Sequence, residues 1–177
     1  MSDILNYNNQ GRALLREERS AGRVKYLVFE LMEERYGIPL SSVKEVIGLT
    51  EITKVPNVPD FFVGLINLRG QIISVLDLRK KLKLPEEKYK DKKTTIIITE
   101  FENVTIGTIV DDVKEVANFE SSQIENKLDI QSSLGREFMT GVAKTNDNKL
   151  TLLLNIGKVL SLDERVLLKE KSIKKAA

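Results

Sequence analysis

An ordered internal repeat constrains what this chain can fold into more than any other feature of its sequence. The tetrapeptide Val-Lys-Glu-Val begins at position 43 and again at position 113, a shift of 70 residues. Two weaker pairs of segments follow in the same order: 62–65 with 139–142, and 77–82 with 155–160. In each half, a predicted hairpin leads to the tetrapeptide, then to a loop, a second hairpin and a short helix. The chain is therefore predicted to contain two similar units.

The first patterned segment, positions 25–40, indicates strands that are covered on both faces. Leu27, Phe29 and Leu31 alternate with Tyr26 and Val28. Because successive side chains of a strand point to opposite faces, apolar residues then face both ways. A turn is predicted at positions 33–35, between this strand and the next. Shortly after it, Ser41 or Ser42 is expected to cap a single helical turn.

Turn residues divide the rest of the patterned chain into further hairpins. The apolar runs 61–68 and 71–76 meet at Arg69-Gly70, where a tight bend needs the positive φ that glycine tolerates. Two more hairpins are predicted, one turning near Glu102-Asn103 and one at positions 146–148. Directly after the hairpin at 61–76, Asp77 is placed to cap a short helix that ends by Pro85.

These elements predict a mainly β fold. Five or so short strands in each half suit a small closed barrel, because closure removes exposed sheet edges. We expect two five-stranded β-barrels packed side by side, with short helices and a C-terminal helix. Neither half has enough apolar residues for a comfortable core of its own, so the two are expected to share one.

The absence of histidine and cysteine excludes several kinds of catalytic and metal site. Catalytic triads, thiolate zinc sites and imidazole metal sites all need one of these residues. Asp111 and Asp112 are candidates for acid–base chemistry, but as neighbours on a strand they would point to opposite faces, which favours a turn or strand-end role. The segment 64–70 lacks the Lys-Ser/Thr pair of a phosphate-binding loop. Nothing in the sequence requires an enzyme, a metal or a cofactor.

Charge and aromatic content weigh against a dedicated nucleic-acid binder. Lys and Arg total 28 against 26 acidic residues, whereas such binders usually have a strongly basic face. Aromatic residues make up 6% of the chain, with no tryptophan, which leaves few rings for base stacking. A small-barrel nucleic-acid-binding module remains the alternative interpretation. No signal-peptide pattern and no run of about 18 apolar residues is present, so we expect a cytoplasmic protein without direct membrane insertion.

A longer pattern resembles the CheW family of chemotaxis coupling proteins. The sequence GLINLRGQIISVLDLR at 64–79, preceded by VPNVPDFFV at 55–63, is similar to the family signature. Flanking pieces agree in order, and the resemblance covers roughly residues 22–165. Ser74 stands where the family usually has proline, and Asn155 where it often has aspartate. The resemblance implies two five-stranded SH3-like barrels and a non-catalytic adaptor.

The resemblance also implies partners and a domain organisation. Such adaptors couple chemoreceptors (methyl-accepting chemotaxis proteins) at their cytoplasmic tip to the regulatory domain of the histidine kinase CheA, in arrays at the membrane. We expect a stand-alone adaptor that is monomeric when isolated. In chain order, we expect a flexible arm (1–21), a CheW-like domain (22–165) and a C-terminal helix or tail (166–177). The CheW-like domain is expected to have subdomains at about 22–85 and 92–160, which can exchange strands.

The resemblance further implies a receptor-binding groove between the barrels, formed by eight residues: Val43, Glu45, Val46, Gly64, Asn67, Arg69, Gly70 and Ile73. Two interpretations of Arg69 stay open: it faces the receptor, or it is held in an ion pair with Glu45. Val43, Val46 and Ile73 either line the groove or belong to ordinary barrel core. Gly70 mainly serves the turn. The kinase-binding residues cannot be placed from one sequence.

Overall fold

A computed structural model of the chain describes residues 22–85, 89, 93–126, 137–145, 148–161 and 163–166. Within these residues the protein is built mainly from β-strands, which confirms the predicted fold class. The predicted N-terminal arm, positions 146 and 147 of the third predicted turn, and the C-terminal segment after residue 166 lie outside the described residues. Residues 163–166, just before that segment, are helical.

The described strands and helices follow one another in a simple order. The strands are β1 (Arg23–Leu31), β2 (Glu34–Pro39), β3 (Val43–Gly48), β4 (Phe62–Leu68), β5 (Gln71–Asp77), β6 (Thr95–Phe101), β7 (Val104–Val110), β8 (Asp112–Glu120), β9 (Ile124–Glu125), β10 (Met139–Lys144) and β11 (Leu150–Leu154). Two α-helices of four residues follow β5 and β11, α1 (Leu78–Lys81) and α2 (Ile156–Val159). Short 3-10 turns lie at Leu40–Ser42 and Ser121–Gln123.

The strands form two sheets. One has six strands in the order β8-β1-β2-β11-β10-β9, and the other has five in the order β3-β6-β7-β5-β4. The prediction of five strands per unit is therefore right for one sheet, while the two-residue β9 adds a sixth strand to the other. After β3 the chain returns to the far edge of the five-stranded sheet, where Thr53 and Leu65 exchange backbone hydrogen bonds of 2.8 and 2.9 Å. Closure of either sheet into a barrel stays a prediction.

The two sheets repeat one connectivity, but each takes a hairpin from the other half of the chain. By strand order, β8, β1, β2, β11 and β10 in one sheet correspond to β3, β6, β7, β5 and β4 in the other. The register agrees: Val46 pairs with Ile97 as Val116 pairs with Leu27. The hairpin β1–β2 of the first unit thus lies in the six-stranded sheet, with strands of the second unit. The hairpin β6–β7 of the second unit lies in the five-stranded sheet, with strands of the first unit. Where one subdomain ends and the next begins stays a prediction.

Local features repeat with the strands. Lys44 and Lys114 are the extra residues at equivalent β-bulges, because the pairing skips one position in each tetrapeptide. Asp77 caps α1, as predicted, through an Oδ1 that accepts from Arg79 N at 2.9 Å. Asn155 Oδ1 accepts from Gly157 N at 2.9 Å in the equivalent position before α2. The repeat seen in the sequence is therefore a repeat of backbone geometry.

Two of the predicted turns differ from the structure. The first hairpin bends at Met32 and Glu33, both with positive φ, and Glu34 already belongs to β2, so the predicted turn at 33–35 was placed too late. Neither serine caps the turn Leu40–Ser42; the Ser42 hydroxyl instead donates back to Pro39 O at 2.7 Å. The turn at Glu102-Asn103 is confirmed, with φ values of 48° and 64°.

The core consists of one shared cluster and one smaller cluster in each sheet. Leu27, Phe29 and Leu31 of β1 face the shared cluster, which also contains side chains of the five-stranded sheet. Tyr26 and Val28, on the opposite face of β1, belong to the cluster of the six-stranded sheet. The predicted two-sided burial of β1 is confirmed, and the shared cluster is the common core that two small units need.

Candidate protein-binding site

The bend between β4 and β5 is the most sharply defined part of the predicted site. Arg69 and Gly70 have φ values of 53° and 86°, the geometry that two-residue hairpin loops require at both positions. Asn67 Oδ1 accepts a 2.9 Å hydrogen bond from Gly70 N, which fixes the bend from outside. An arginine in this conformation costs roughly 1 kcal/mol, so the fold holds Arg69 in place against a local preference.

Of the two interpretations of Arg69, the structure shows the ion pair with Glu45, and the contact with a receptor stays a prediction. Arg69 Nη2 lies 3.0 Å from Glu45 Oε2 on β3, so the bend is tied to the first strand of the same sheet. The Arg69 side chain is nevertheless 70% exposed, whereas that of Glu45 is 19% exposed. An exposed pair of this kind contributes at most about 1 kcal/mol to stability. The pair therefore orients a cationic group that stays open to a partner.

Gly64 is explained by close packing. A Cβ at this position would lie 2.3 Å from Thr53 O and 2.7 Å from Ile52 Cγ2. Only glycine lets the segment after β3 approach β4 closely enough for the Thr53–Leu65 hydrogen bonds. Gly141 is in the equivalent place, with a Cβ contact of 2.9 Å to Glu125 O. Gly64 thus holds the segment after β3 against β4 and makes no surface contact of its own.

The three apolar residues of the predicted groove fall into two groups. Val43 and Val46 are half-buried and pack against the shared cluster between the sheets. Ile73 is 1% exposed and belongs to the internal cluster of the five-stranded sheet, where it pairs with Ile66. Glu45 pairs with Ile98 of the internal cluster, whereas Val46 pairs with Ile97 of the shared cluster, so Glu45 and the valines lie on opposite faces of β3. The structure therefore binds Arg69 to Glu45 on the strand that also carries Val43 and Val46, and it places Ile73 in the core of the five-stranded sheet.

Valines of the second tetrapeptide were missed by sequence reasoning. Val113 packs against the same shared cluster as Val43 and Val46, and we call these three residues the boundary valines. Val116, which pairs with Leu27 of β1, is 49% exposed. The repeat itself was the available signal, because equivalent positions of a repeated unit occupy equivalent places in the fold.

The two candidate carboxylates have structural partners. Asp111 Oδ2 accepts from Met32 N at 2.8 Å, and its Oδ1 lies 3.3 Å from Arg79 Nη1. Asp112 Oδ2 lies 2.8 Å from Lys114 Nζ. Arg79, with 3% exposure, was not singled out by the sequence, although it ends the LDLR segment that carries the family resemblance. Both carboxylates therefore hold strand ends and turns.

Other kinds of site find little support in the described part of the chain. It contains no group of three or more carboxylates placed to hold a metal ion. Nor, among these residues, does any helix have the length and apolar character needed to cross a membrane. All of its aromatic side chains are buried or half-buried, so it offers no exposed ring on which a base could stack.

Comparison with known proteins decides the family. A profile of the CheW-like domain matches residues 25–164. The chain belongs to the CheW family. The resemblance seen in the sequence is confirmed, and with it a non-catalytic scaffold in chemotaxis.

Members from distant bacteria resemble the chain over most of its length. The CheW of Klebsiella aerogenes is 34% identical over 143 residues, which is 81% of this chain and 85% of that protein. The CheW of Thermotoga maritima is 32% identical over 81% of this chain and 90% of its own length. The crystal structure of the scaffolding protein TtCheW from Thermoanaerobacter tengcongensis matches with a TM-score of 0.73 and 35% identity. It covers 80% of this chain and 94% of that one.

Proposed function

We propose that this chain couples chemoreceptors to the histidine kinase CheA as a cytoplasmic adaptor in membrane receptor arrays. The observation that carries the proposal is an exposed guanidinium that Glu45 ties to β3, the strand whose half-buried valines pack at the boundary of two sheets. Family membership supports the same role. A guanidinium and valine side chains can bind a partner protein, but they are not catalytic groups.

The receptor is proposed to bind at the bend and the boundary valines. The cytoplasmic tip of a chemoreceptor is a helical hairpin, and a helix in a groove is recognised mainly by apolar sockets. Val43 and Val46 supply half-exposed methyl groups on β3, while Arg69 adds one cationic contact that sets register. Glu45 keeps that cation in position in the free protein.

The kinase is proposed to bind elsewhere, through its regulatory domain, which is itself CheW-like. Separate faces for receptor and kinase allow each contact to be modest, since micromolar affinity corresponds to roughly −8 kcal/mol. Linking several modest contacts in one array raises the effective concentration of each partner. The chain is proposed to be monomeric until it joins such an array.

The test is a substitution at the bend in a mixture of receptor fragment, CheA and adaptor. Arg69→Asp is expected to lower receptor-dependent kinase activation at least about tenfold, because the reversed charge repels Glu45 and removes the cationic contact. The matched control is Arg23→Asp, since Arg23 also forms an exposed pair, 2.8 Å from Glu120, but in the six-stranded sheet. Unchanged activation by a folded Arg69→Asp protein would show that the receptor binds elsewhere.

A further inference from the structure

The four-residue helix α1 stands at one end of the hairpin that carries the proposed receptor contact. β5 runs from Gln71, beside the bend, to Asp77, which caps α1. Seven residues of strand span roughly 23 Å. The bend and α1 are thus joined by a single paired strand.

The first link from α1 to the other sheet is an ion pair between a buried arginine and the half-buried Asp111. The Arg79 side chain is 4% exposed and lies 3.3 Å from Asp111 Oδ1 and 3.7 Å from Asp77 Oδ1. The other oxygen of Asp111 accepts from Met32 N, at the bend between β1 and β2 of the six-stranded sheet. Tyr89 lies beside Arg79, with its ring 4.8 Å from the guanidinium carbon, and its hydroxyl donates to Asp77 Oδ2 at 2.6 Å. One arginine therefore connects α1 with a turn of the opposite sheet.

The second link lies two residues further along α1. Lys81 Nζ contacts both carboxylate oxygens of Glu164, at 2.7 and 2.8 Å. It also lies 4.2 Å from the ring centre of Phe61, before β4, and 5.8 Å from that of Phe138, before β10. Partial burial acts to raise the pKa of Glu164, but hydrogen bonds from Lys81 and Ser161 outweigh it and leave that pKa below its usual value. Glu164 follows α2 of the six-stranded sheet, so this pair also crosses the boundary.

We propose that α1 is a relay that couples the receptor-side bend to the six-stranded sheet through its two charged links, Arg79–Asp111 and Lys81–Glu164. The proposal rests on the proposed function and adds how the bound receptor controls the kinase. A buried charge that loses its partner is costly, so the buried Arg79 resists displacement from Asp111. The Lys81–Glu164 pair is partly exposed, at 12% and 23%, and holds α1 through contacts to both carboxylate oxygens. A bend held by the receptor thereby fixes the position of one sheet relative to the other.

The first test needs no partner protein. The chain has no cysteine, so two cysteines introduced as Leu150→Cys in the six-stranded sheet and Lys54→Cys beside the five-stranded sheet are the only sites that a thiol-reactive spin label modifies. The distance between the two labels then reports the relative position of the sheets. Asp111→Asn and Glu164→Gln, alone and combined, are expected to broaden the measured distance distribution. The matched controls are Asp112→Asn, whose pairing with Lys114 stays within the six-stranded sheet, and the exposed Asp163→Asn. An unchanged distribution in the folded double variant would overturn the relay.

The second test separates the relay from the proposed function. In a mixture with receptor fragment and CheA, the double variant is expected to bind receptor within about twofold of the wild type. Its receptor-dependent kinase control is expected to fall about tenfold, since coupling energies between sites are commonly of this order. If the wild type does not bind the receptor fragment, the proposed function is refuted. If the double variant binds receptor and controls the kinase as fully as the wild type, only the relay is refuted. If Asp111→Asn alone fails to fold, Glu164→Gln gives the same comparison at the second link.

Discussion

Gly64 and Gly70, which lie seven and one residues before β5, are required by the fold for different physical reasons. Gly70 was expected to serve a turn and does so with a φ of 86°. Gly64 was predicted in the groove, where glycine lets backbones approach closely; the structure shows such an approach to the carbonyl oxygen of Thr53, across the isolated bridge between Thr53 and Leu65, and the groove itself stays a prediction. A backbone contact of this kind leaves no local sequence pattern, whereas positive φ at a tight bend does.

At this scale, three glycine substitutions are expected to differ for separate reasons. Gly70→Ala meets open space but retains a positive φ, so it should lower the free energy of unfolding by about 1 kcal/mol. Gly64→Ala forces a Cβ against backbone and should cost more, about 3 kcal/mol. Gly48→Ala, with open space around it on β3, is the control and should change little. Urea unfolding measures all three, and equal losses at positions 64 and 70 would contradict the packing argument.

At the scale of elements, the hairpins and both short helices could be predicted, but their partners could not. Periodicity and turn residues are local, so they located β4–β5, β6–β7 and the cap at Asp77. The pairing of β2 with β11 joins residues more than a hundred positions apart in the chain. Which sheet a hairpin joins depends on such distant contacts, and local sequence carries no record of them.

The helical turn at 163–166 is expected to be held by a pH-dependent contact. The folded-state pKa of Glu164 is lowered, so its contribution to stability is present above the unfolded pKa and is lost as pH falls through the folded value. Glu164→Gln should therefore be less stable than the wild type at pH 7, with the difference closing below about pH 4. Thermal unfolding of both proteins across this range measures it. A difference that stays constant with pH would show that the charge of Glu164 contributes nothing.

The whole molecule was predicted in class and in family, and less fully in its site. Two sheets with a shared core follow from the repeat, because two small units need common apolar burial. Of the predicted site, Arg69 is bound to Glu45 on the strand that also carries Val43 and Val46, while Ile73 lies in the core. The receptor-binding role of these residues stays a prediction. The two charged links of α1 were not foreseen, since their partners are remote in sequence.

Reciprocal exchange of hairpins makes the two halves dependent on each other. A chain cut within residues 86–92 should give fragments that are unfolded when expressed separately, because each lacks a hairpin that completes its sheet. Co-expressed fragments should associate and regain the β-sheet circular dichroism of the intact chain. Independent folding of either fragment would show that the exchanged hairpins are dispensable.

The role proposed for this chain is to join a chemoreceptor to CheA by contact alone. The most direct measurement is co-sedimentation of CheA with membranes or assemblies that carry receptor cytoplasmic fragments, with and without the chain. We predict that CheA pellets with the receptor in the presence of the chain and stays largely in the supernatant in its absence. Equal amounts of CheA in the pellet under both conditions would contradict the claim.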